Sequence, residues 1–212
     1  MMAVAALATA TVVGACNNPA TNEANQSPMP STAQTTTDPT AEAHNQADAM
    51  FAHMMVPHHQ QAIQMSDTIL AKQGIDPRVV DLAKQIKAAQ GPEIQQMQGW
   101  LSQWGMPGMS GMPGMSNMPG MPGMGAMPGM GNMPGMDGMM SPADMQALDK
   151  AQGVEASKLY LTQMIGHHQG AITMAQNEVK GGQFADAIAL AKSIAVSQQK
   201  EIDTMNQILD SL

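Results

Sequence analysis

The chain has 212 residues, a formal net charge of −8 and no cluster of basic residues, which together disfavour binding to nucleic acid. Aromatic residues make up only 2% of the chain, so a platform for stacking bases is not expected either. Once an apolar leader, a polar stretch and a segment rich in methionine, glycine and proline are set aside, roughly 135 residues remain, enough for one small domain.

The first 16 residues form an apolar leader typical of a secretory signal peptide. The leader ends in Val13, Gly14 and Ala15 directly before Cys16, the only cysteine of the chain, and this order resembles a bacterial lipobox. The resemblance implies cleavage before Cys16, acylation of its sulfur and anchoring to a membrane outside the cytoplasm. No Lys or Arg precedes the apolar run, which leaves open a start upstream of Met1 or a chance cysteine in the leader.

Residues 17–41 are rich in Thr, Asn, Pro and Ser without any periodicity, so we predict a disordered tether there. If Cys16 is acylated, the mature protein has no free thiol. That state suits an exported protein, lipid-anchored or periplasmic, because thioethers still bind metal in a compartment that oxidises thiols.

The rest of the sequence contains one pattern twice. Residues 55–65 match residues 164–174 at an offset of 109, and residues 82–86 match residues 190–194 at an offset of 108. Agreement over about 50 residues per copy indicates an internal duplication.

Each copy is predicted to form two helices, because apolar residues recur at steps of three or four and no stretch alternates as a strand would. In the first copy, Gly74 ends one helix, while Asp76 and Pro77 supply the N-cap and the first turn of the next. In the second copy the turn falls at residues 180–183. The two hairpins, residues 42–104 and 142–212, would bury their apolar faces against each other as an all-α four-helix bundle.

Pro57 and Gly166 occupy equivalent positions, directly before a histidine pair in each copy. Both weaken a helix interior, by about 3 kcal/mol for proline and about 1 kcal/mol for glycine relative to alanine. Two different helix-weakening residues at one position predict a kink or a close approach of another segment beside the histidines.

Residues 105–141 form a loop of methionine, glycine, proline and a few small polar residues in which methionine recurs at every third position. Such a composition cannot hold a helix or build a core, so we predict a long disordered loop between the hairpins. Thioether sulfur is a soft, uncharged ligand that selects Cu(I), which favours a copper-binding segment over a flexible linker. A period of three also matches polyproline II, which would place the sulfurs along one side of the chain. The candidate ligands of the loop are Met106, Met109, Met112, Met115, Met118, Met121, Met124, Met127, Met130, Met133, Met136 and Met139.

A second set of candidate ligands combines methionine with paired histidines, once in each copy. One methionine lies three residues before the first histidine and four before the second, so these side chains share a helix face. Imidazole suits copper in either common oxidation state, and thioether suits Cu(I). Because neighbouring residues point about 100° apart, we expect one histidine of each pair to face the core and the other a groove or the surface. The candidates are Met55, His58, His59, Met65, Met164, His167, His168 and Met174.

The alternative interpretation of this set is structural, with the methionines packing the core and the histidines hydrogen-bonded inside it. Glu93 and Glu201 fall on the apolar faces of the partner helices and are the expected hydrogen-bond partners. His44 and His53 add candidate ligands near the start of the first helix.

The first histidine block resembles the signature of the bacterial family called domain of unknown function 305, through Asp48, Phe51, Met55, His58, His59, Ala62, Ile63 and Met65. The second copy has the same pattern but departs from it at Ser157, where the family has an acid. The resemblance implies a ferritin-like four-helix bundle in an exported protein. The family includes CopM-like proteins, periplasmic or secreted binders of Cu(I) and Ag(I), and the eight histidine and methionine positions above carry over as ligands. The methionine-rich loop lies outside the family's pattern.

These observations predict an extracytoplasmic protein that sequesters or carries copper, as Cu(I) or as Cu(II), with Ag(I) as a mimic and a copper efflux or acceptor protein as partner. A methionine-rich oxidant scavenger without specific metal binding is the alternative. An enzyme such as a copper-dependent oxidase is disfavoured because no nucleophile–base set is visible. The sequence has no Glu-x-x-His, the pair that di-iron bundle proteins use, so a ferroxidase is not expected.

Overall fold

A computed structural model of the protein describes residues 43–106 and 137–212. These residues form no strand and five helices, α1 (Gln46–Leu70), α2 (Pro77–Gln103), α3 (Pro142–Lys150), α4 (Gly153–Gly181) and α5 (Ala185–Leu209). The prediction of an all-α bundle is confirmed. The leader, the tether and the methionines from Met109 to Met136 lie outside the described residues. Within the described part of the chain, no helix has the length and apolar character needed to cross a membrane.

The starts of the first two helices follow local capping rules. Asn45 caps α1 and forms a capping box with Asp48, whose carboxylate accepts from the Asn45 backbone N–H. Asp76 caps α2 through the N–H of Arg78, and Pro77 stands in its first turn, as predicted. The carboxylate of Asp76 also pairs with the Arg78 guanidinium, which ties the cap to the first turn.

The short helix α3 was not predicted. Its start nevertheless has a recognisable signal, because Ser141 caps it, Pro142 occupies the first turn and Asp144 closes a capping box with Ser141. Leu148 is its one buried residue and packs into the core formed with α1 and α4.

The hairpin of α1 and α2 and the hairpin of α4 and α5 pack together mainly through α1 and α4. The core divides into two clusters, one around Phe51, Trp100 and Phe184 and one around Met65 and Tyr160. In the second cluster, the Ser66 and Tyr160 hydroxyls are 2.9 Å apart and join α1 to α4. The helix segments on either side of each histidine pair therefore pack against residues of both hairpins.

Each hairpin also binds the turn of the other. Asp48 on α1 accepts from the backbone N–H groups of Gln183 and Phe184, in the turn before α5. Ser157 on α4 is the equivalent residue, and its hydroxyl accepts from the backbone N–H of Asp76, in the turn before α2. The acid that the second copy lacks is thus replaced by a hydroxyl with the same structural task.

Candidate metal centre

The two copies of the histidine pair meet at the centre of the interface between α1 and α4. The rings of His58 and His167 have centroids 3.7 Å apart and planes tilted by 38°. Both residues are almost completely shielded from solvent, at 0% and 1% exposure. Helical register explains the meeting, because equivalent residues of a duplicated hairpin lie at the same level when the two copies pack face to face.

The other histidine of each pair faces the partner helix of its own hairpin. His59 Nε2 lies 2.8 Å from Glu93 Oε2, and His168 Nε2 lies 2.6 Å from Glu201 Oε2. The prediction of glutamate partners is confirmed. The expectation that one histidine of each pair faces a groove or the surface is wrong, because all four are buried: the second helix of each hairpin covers the ring that points away from the other copy.

The central rings keep nitrogen lone pairs without a partner. Burial, followed by the charge of neighbouring histidines, lowers the pKa of His58 to about 3 and holds the pKa of His167 well below its usual value, so both rings are neutral at pH 7. His58 Nε2 lies 3.2 Å from the carbonyl oxygen of Asp137, which can only accept, so Nε2 bears the proton and Nδ1 a free lone pair. Nδ1 of His58 and both nitrogens of His167 are buried and have no hydrogen-bond partner among the described residues.

A four-residue strap, residues 137–140, lies over this pair and ends the methionine-rich loop. Gln61 on α1 holds the strap twice, because its side-chain amide donates to the Met140 carbonyl at 2.9 Å and its carbonyl accepts from the Met140 N–H at 2.7 Å. Asp137 supplies the carbonyl that fixes the His58 proton. A hydrogen bond from the second ring nitrogen to a backbone carbonyl is how proteins commonly orient a metal-ligating histidine.

Two glycines let the strap approach α4. Gly138 has φ +82°, and a Cβ there would stand 2.6 Å from the Gly166 carbonyl oxygen. A Cβ at Gly170 would overlap the backbone carbonyl of Asp137, whereas a Cβ at Gly166 would meet no atom within 4 Å. The expected close approach beside the histidines therefore exists, but Gly170 permits it rather than Gly166. Helix α1 continues through Pro57 and α4 through Gly166, so neither residue ends its helix.

The four methionines predicted beside the histidine pairs are all core residues. Met55 and Met174 belong to one hydrophobic cluster, and Met65 and Met164 belong to the other. Their thioethers lie within one or two helical turns of the histidines, but they also fill space in the core. Of the loop methionines, Met106 is 39% exposed directly after α2, and Met139 is half-buried in the strap.

The described residues hold no group of three or more His, Cys, Asp or Glu side chains that could bind a metal ion. A centre built on His58 and His167 must therefore draw on nitrogen and thioether donors, which is the donor set that a soft ion prefers. Unpartnered lone pairs on neutral rings fit such an ion. A buried nitrogen without a hydrogen bond is unfavourable, and coordination of an ion would give that lone pair a partner.

The family model of the domain of unknown function DUF305 matches residues 48–209. The chain belongs to the DUF305 family. No curated protein matches the chain.

Several solved DUF305 structures resemble this one. A presumed secreted DUF305 protein from Streptomyces coelicolor is 33% identical, with 78% of this chain and 91% of that chain covered and a TM-score of 0.64. A DUF305 fragment from Deinococcus radiodurans is 29% identical, with 79% and 98% covered and a TM-score of 0.64. CopM in its Cu(II)-bound form is 32% identical, with 77% and 96% covered and a TM-score of 0.57, and CopM structures bound to Cu(I) and to Ag also match.

Proposed function

We propose that this DUF305 protein binds Cu(I), and Ag(I) in its place, outside the cytoplasm, and that it sequesters or carries copper for copper tolerance. The observation that supports this most directly is the pair of neutral, buried rings of His58 and His167, which meet across the two hairpins with unpartnered nitrogens. A purely structural histidine pair would be expected to satisfy those atoms with hydrogen bonds. The relationship to CopM, whose structures hold Cu(I), Cu(II) and Ag, supports the same conclusion.

Each predicted ligand has a distinct place in this proposal. His58 and His167 form the central nitrogen donors, and His59 and His168 stand beside them, each fixed by a glutamate. Met55, Met65, Met164 and Met174 lie within two helical turns of the histidines along the same helices and supply thioethers if the core relaxes around an ion. The loop methionines from Met106 to Met139 add weaker, exchangeable sites. Cu(I) is the cargo we assign, with Cu(II) as a second bound state, and a copper efflux or acceptor protein would receive it.

The proposed location is lipid anchoring at Cys16 or the periplasm, and binding rather than catalysis is the proposed activity. Globomycin, which blocks removal of lipoprotein signal peptides, tests the anchor. Expressed in a bacterium, the chain should accumulate as an uncleaved precursor in treated cells. Release of unacylated protein from both treated and untreated cells would contradict anchoring at Cys16.

Titration of the reduced protein with Cu(I) against a chromogenic Cu(I) chelator tests the function. The double variant H58Q/H167Q should lose the tightest bound ion, and deletion of residues 107–136 should lower the number of weaker ions. The variant Y160F is a matched control, because it changes another buried polar side chain of α4 away from the central pair. A wild-type protein that binds neither Cu(I) nor Ag(I) better than about micromolar, roughly the −8 kcal/mol level, would overturn the proposal and favour the oxidant scavenger.

A further inference from the structure

A second group of soft donors lies on an exposed part of α1, about one turn before His58. Met50, His53 and Met54 follow each other at intervals of three and one, which places all three on a single arc of the helix surface. Side chains three and four residues apart on a helix are near neighbours, with Cβ atoms about 5–6 Å apart. One imidazole and two thioethers can therefore converge above this face.

The surroundings of these three residues are open to solvent. Met50 is 55% exposed, the highest exposure among the large hydrophobic residues of α1. His53 is exposed and makes no side-chain hydrogen bond with any described residue, and Met54 rests partly on the core. A methionine with more than half of its surface in water gains little from packing, so the packing argument that accounts for Met55 does not account for Met50.

The duplication shows that the fold does not require soft donors at these positions. At the offset of 109, the equivalents of Met50, His53 and Met54 are Leu159, Thr162 and Gln163. The hydroxyl of Thr162 bonds back to its own helix, and Gln163 donates to the backbone carbonyl of Asp144 at the start of α3. The second copy thus uses this face for packing and hydrogen bonding, whereas the first copy presents an imidazole and thioethers to solvent.

The face also lies at the end of the bundle where the methionine-rich loop begins. The ring of His44, just before α1, stacks on Trp104 at the end of α2 with centroids 4.4 Å apart. Met106 follows within two residues of Trp104 and is itself exposed. The start of α1 and the first thioether of the loop are therefore at the same end.

We propose that Met50, His53 and Met54 form a separate, solvent-facing site for a soft monovalent cation, Cu(I) or Ag(I). None of the three donors is a carboxylate or a thiolate, and this combination of imidazole and thioether favours a soft ion over hard divalent cations. The inference rests on the proposed function, because it assigns to the exposed face an exchange step that the buried pair of His58 and His167 cannot perform directly. The site accepts the ion from solvent or from the loop before it reaches the core.

The decisive variant replaces the three residues with those of the second copy, M50L/H53T/M54Q. Each substitution places at an α1 position the side chain that this fold already carries at the equivalent position of α4. Because Met54 packs partly on the core, the urea unfolding midpoint of the variant is measured first, and Ag(I) binding is compared under conditions in which both proteins are folded. Silver nitrate is added in chloride-free buffer, and the methionine ε-methyl groups are followed by ¹H–¹³C NMR. The single variant Q64A is the matched control, because it changes another exposed side chain of α1 that is neither an imidazole nor a thioether.

In the wild type and in Q64A, two methyl signals that are absent from the triple variant should shift on addition of Ag(I). The triple variant should bind one fewer Ag(I) ion, while its remaining signals respond as in the wild type. In the wild type, Ag(I) should also protect Met50 and Met54 from oxidation by hydrogen peroxide, as read by mass spectrometry.

Two failures are distinguishable. A wild-type protein that ignores Ag(I) altogether contradicts the proposed function itself. A triple variant that is folded and binds the same number of Ag(I) ions as the wild type overturns the exposed site alone and leaves the buried pair as the metal centre.

Discussion

A single added methyl group should displace the strap, residues 137–140, from its position over the histidine pair. In G170A, the added Cβ would overlap the Asp137 carbonyl, so residues 137–140 must leave α4. Departure breaks three hydrogen bonds, two between Gln61 and Met140 and one between His58 and Asp137. At about 1 kcal/mol each, the loss is about 3 kcal/mol, offset by about 1 kcal/mol for replacing a helical glycine with alanine, so a net loss of about 2 kcal/mol is expected.

The matched variant is G166A, one turn earlier on the same helix. Its Cβ would meet no atom within 4 Å, so only the gain in helix propensity applies, about 1 kcal/mol. The two alanine variants should therefore differ by about 3 kcal/mol in unfolding free energy. At a urea m-value of about 2 kcal/mol/M, this difference separates their midpoints by about 1.5 M.

Urea unfolding followed by circular dichroism measures both variants, and amide hydrogen exchange reports the strap directly. The Met140 N–H, which donates to Gln61, should exchange freely in G170A and remain protected in G166A. Ring ¹⁵N shifts should show that His58 loses its preference for a proton on Nε2 in G170A. Equal midpoints together with a protected Met140 amide in G170A would refute the packing of the strap on α4.

Three further changes test other parts of the bundle. Burial, followed by the nearby Asp48, raises the pKa of Glu178 to about 8, above its unfolded value of 4.5. The contribution of Glu178 to the free energy of unfolding should therefore be full below about pH 4.5 and fall as pH rises toward 8, by up to about 1.4 kcal/mol per pH unit. In urea titrations at several pH values, E178Q should show a weaker decrease in stability over that pH range. D48N should lower the melting temperature by several degrees, because the carboxylate accepts from the N–H groups of Gln183 and Phe184, and an unchanged melting temperature would contradict that role. Y160F should cost about 1 kcal/mol, since the buried Ser66 hydroxyl loses its partner, and thermal unfolding of Y160F beside S66A/Y160F would show whether the loss belongs to that pair.

Much of the architecture is local and was therefore predictable from the sequence. The duplication fixed two equivalent hairpins, and apolar spacing fixed the helices that carry the histidines. The Asp76–Pro77 start of α2 depends only on neighbouring residues, and so does the start of α3, which the Ser141, Pro142 and Asp144 pattern could have revealed. The pairing of histidines with Glu93 and Glu201 was also accessible, because both acids stand on the apolar stripe of the partner helix.

The arrangement of the centre depended on tertiary structure. Spacing along one helix says that His58 and His59 point in different directions, but only the packing of α1 on α4 decides that His58 meets His167 while α2 encloses His59. The strap is non-local too, since Gln61 and Met140 are 79 residues apart and Gly170 admits the backbone between them. Side-chain type and periodicity can be read directly from the sequence. The burial that leaves a histidine nitrogen without a hydrogen-bond partner arises only when segments distant in the chain pack around the ring.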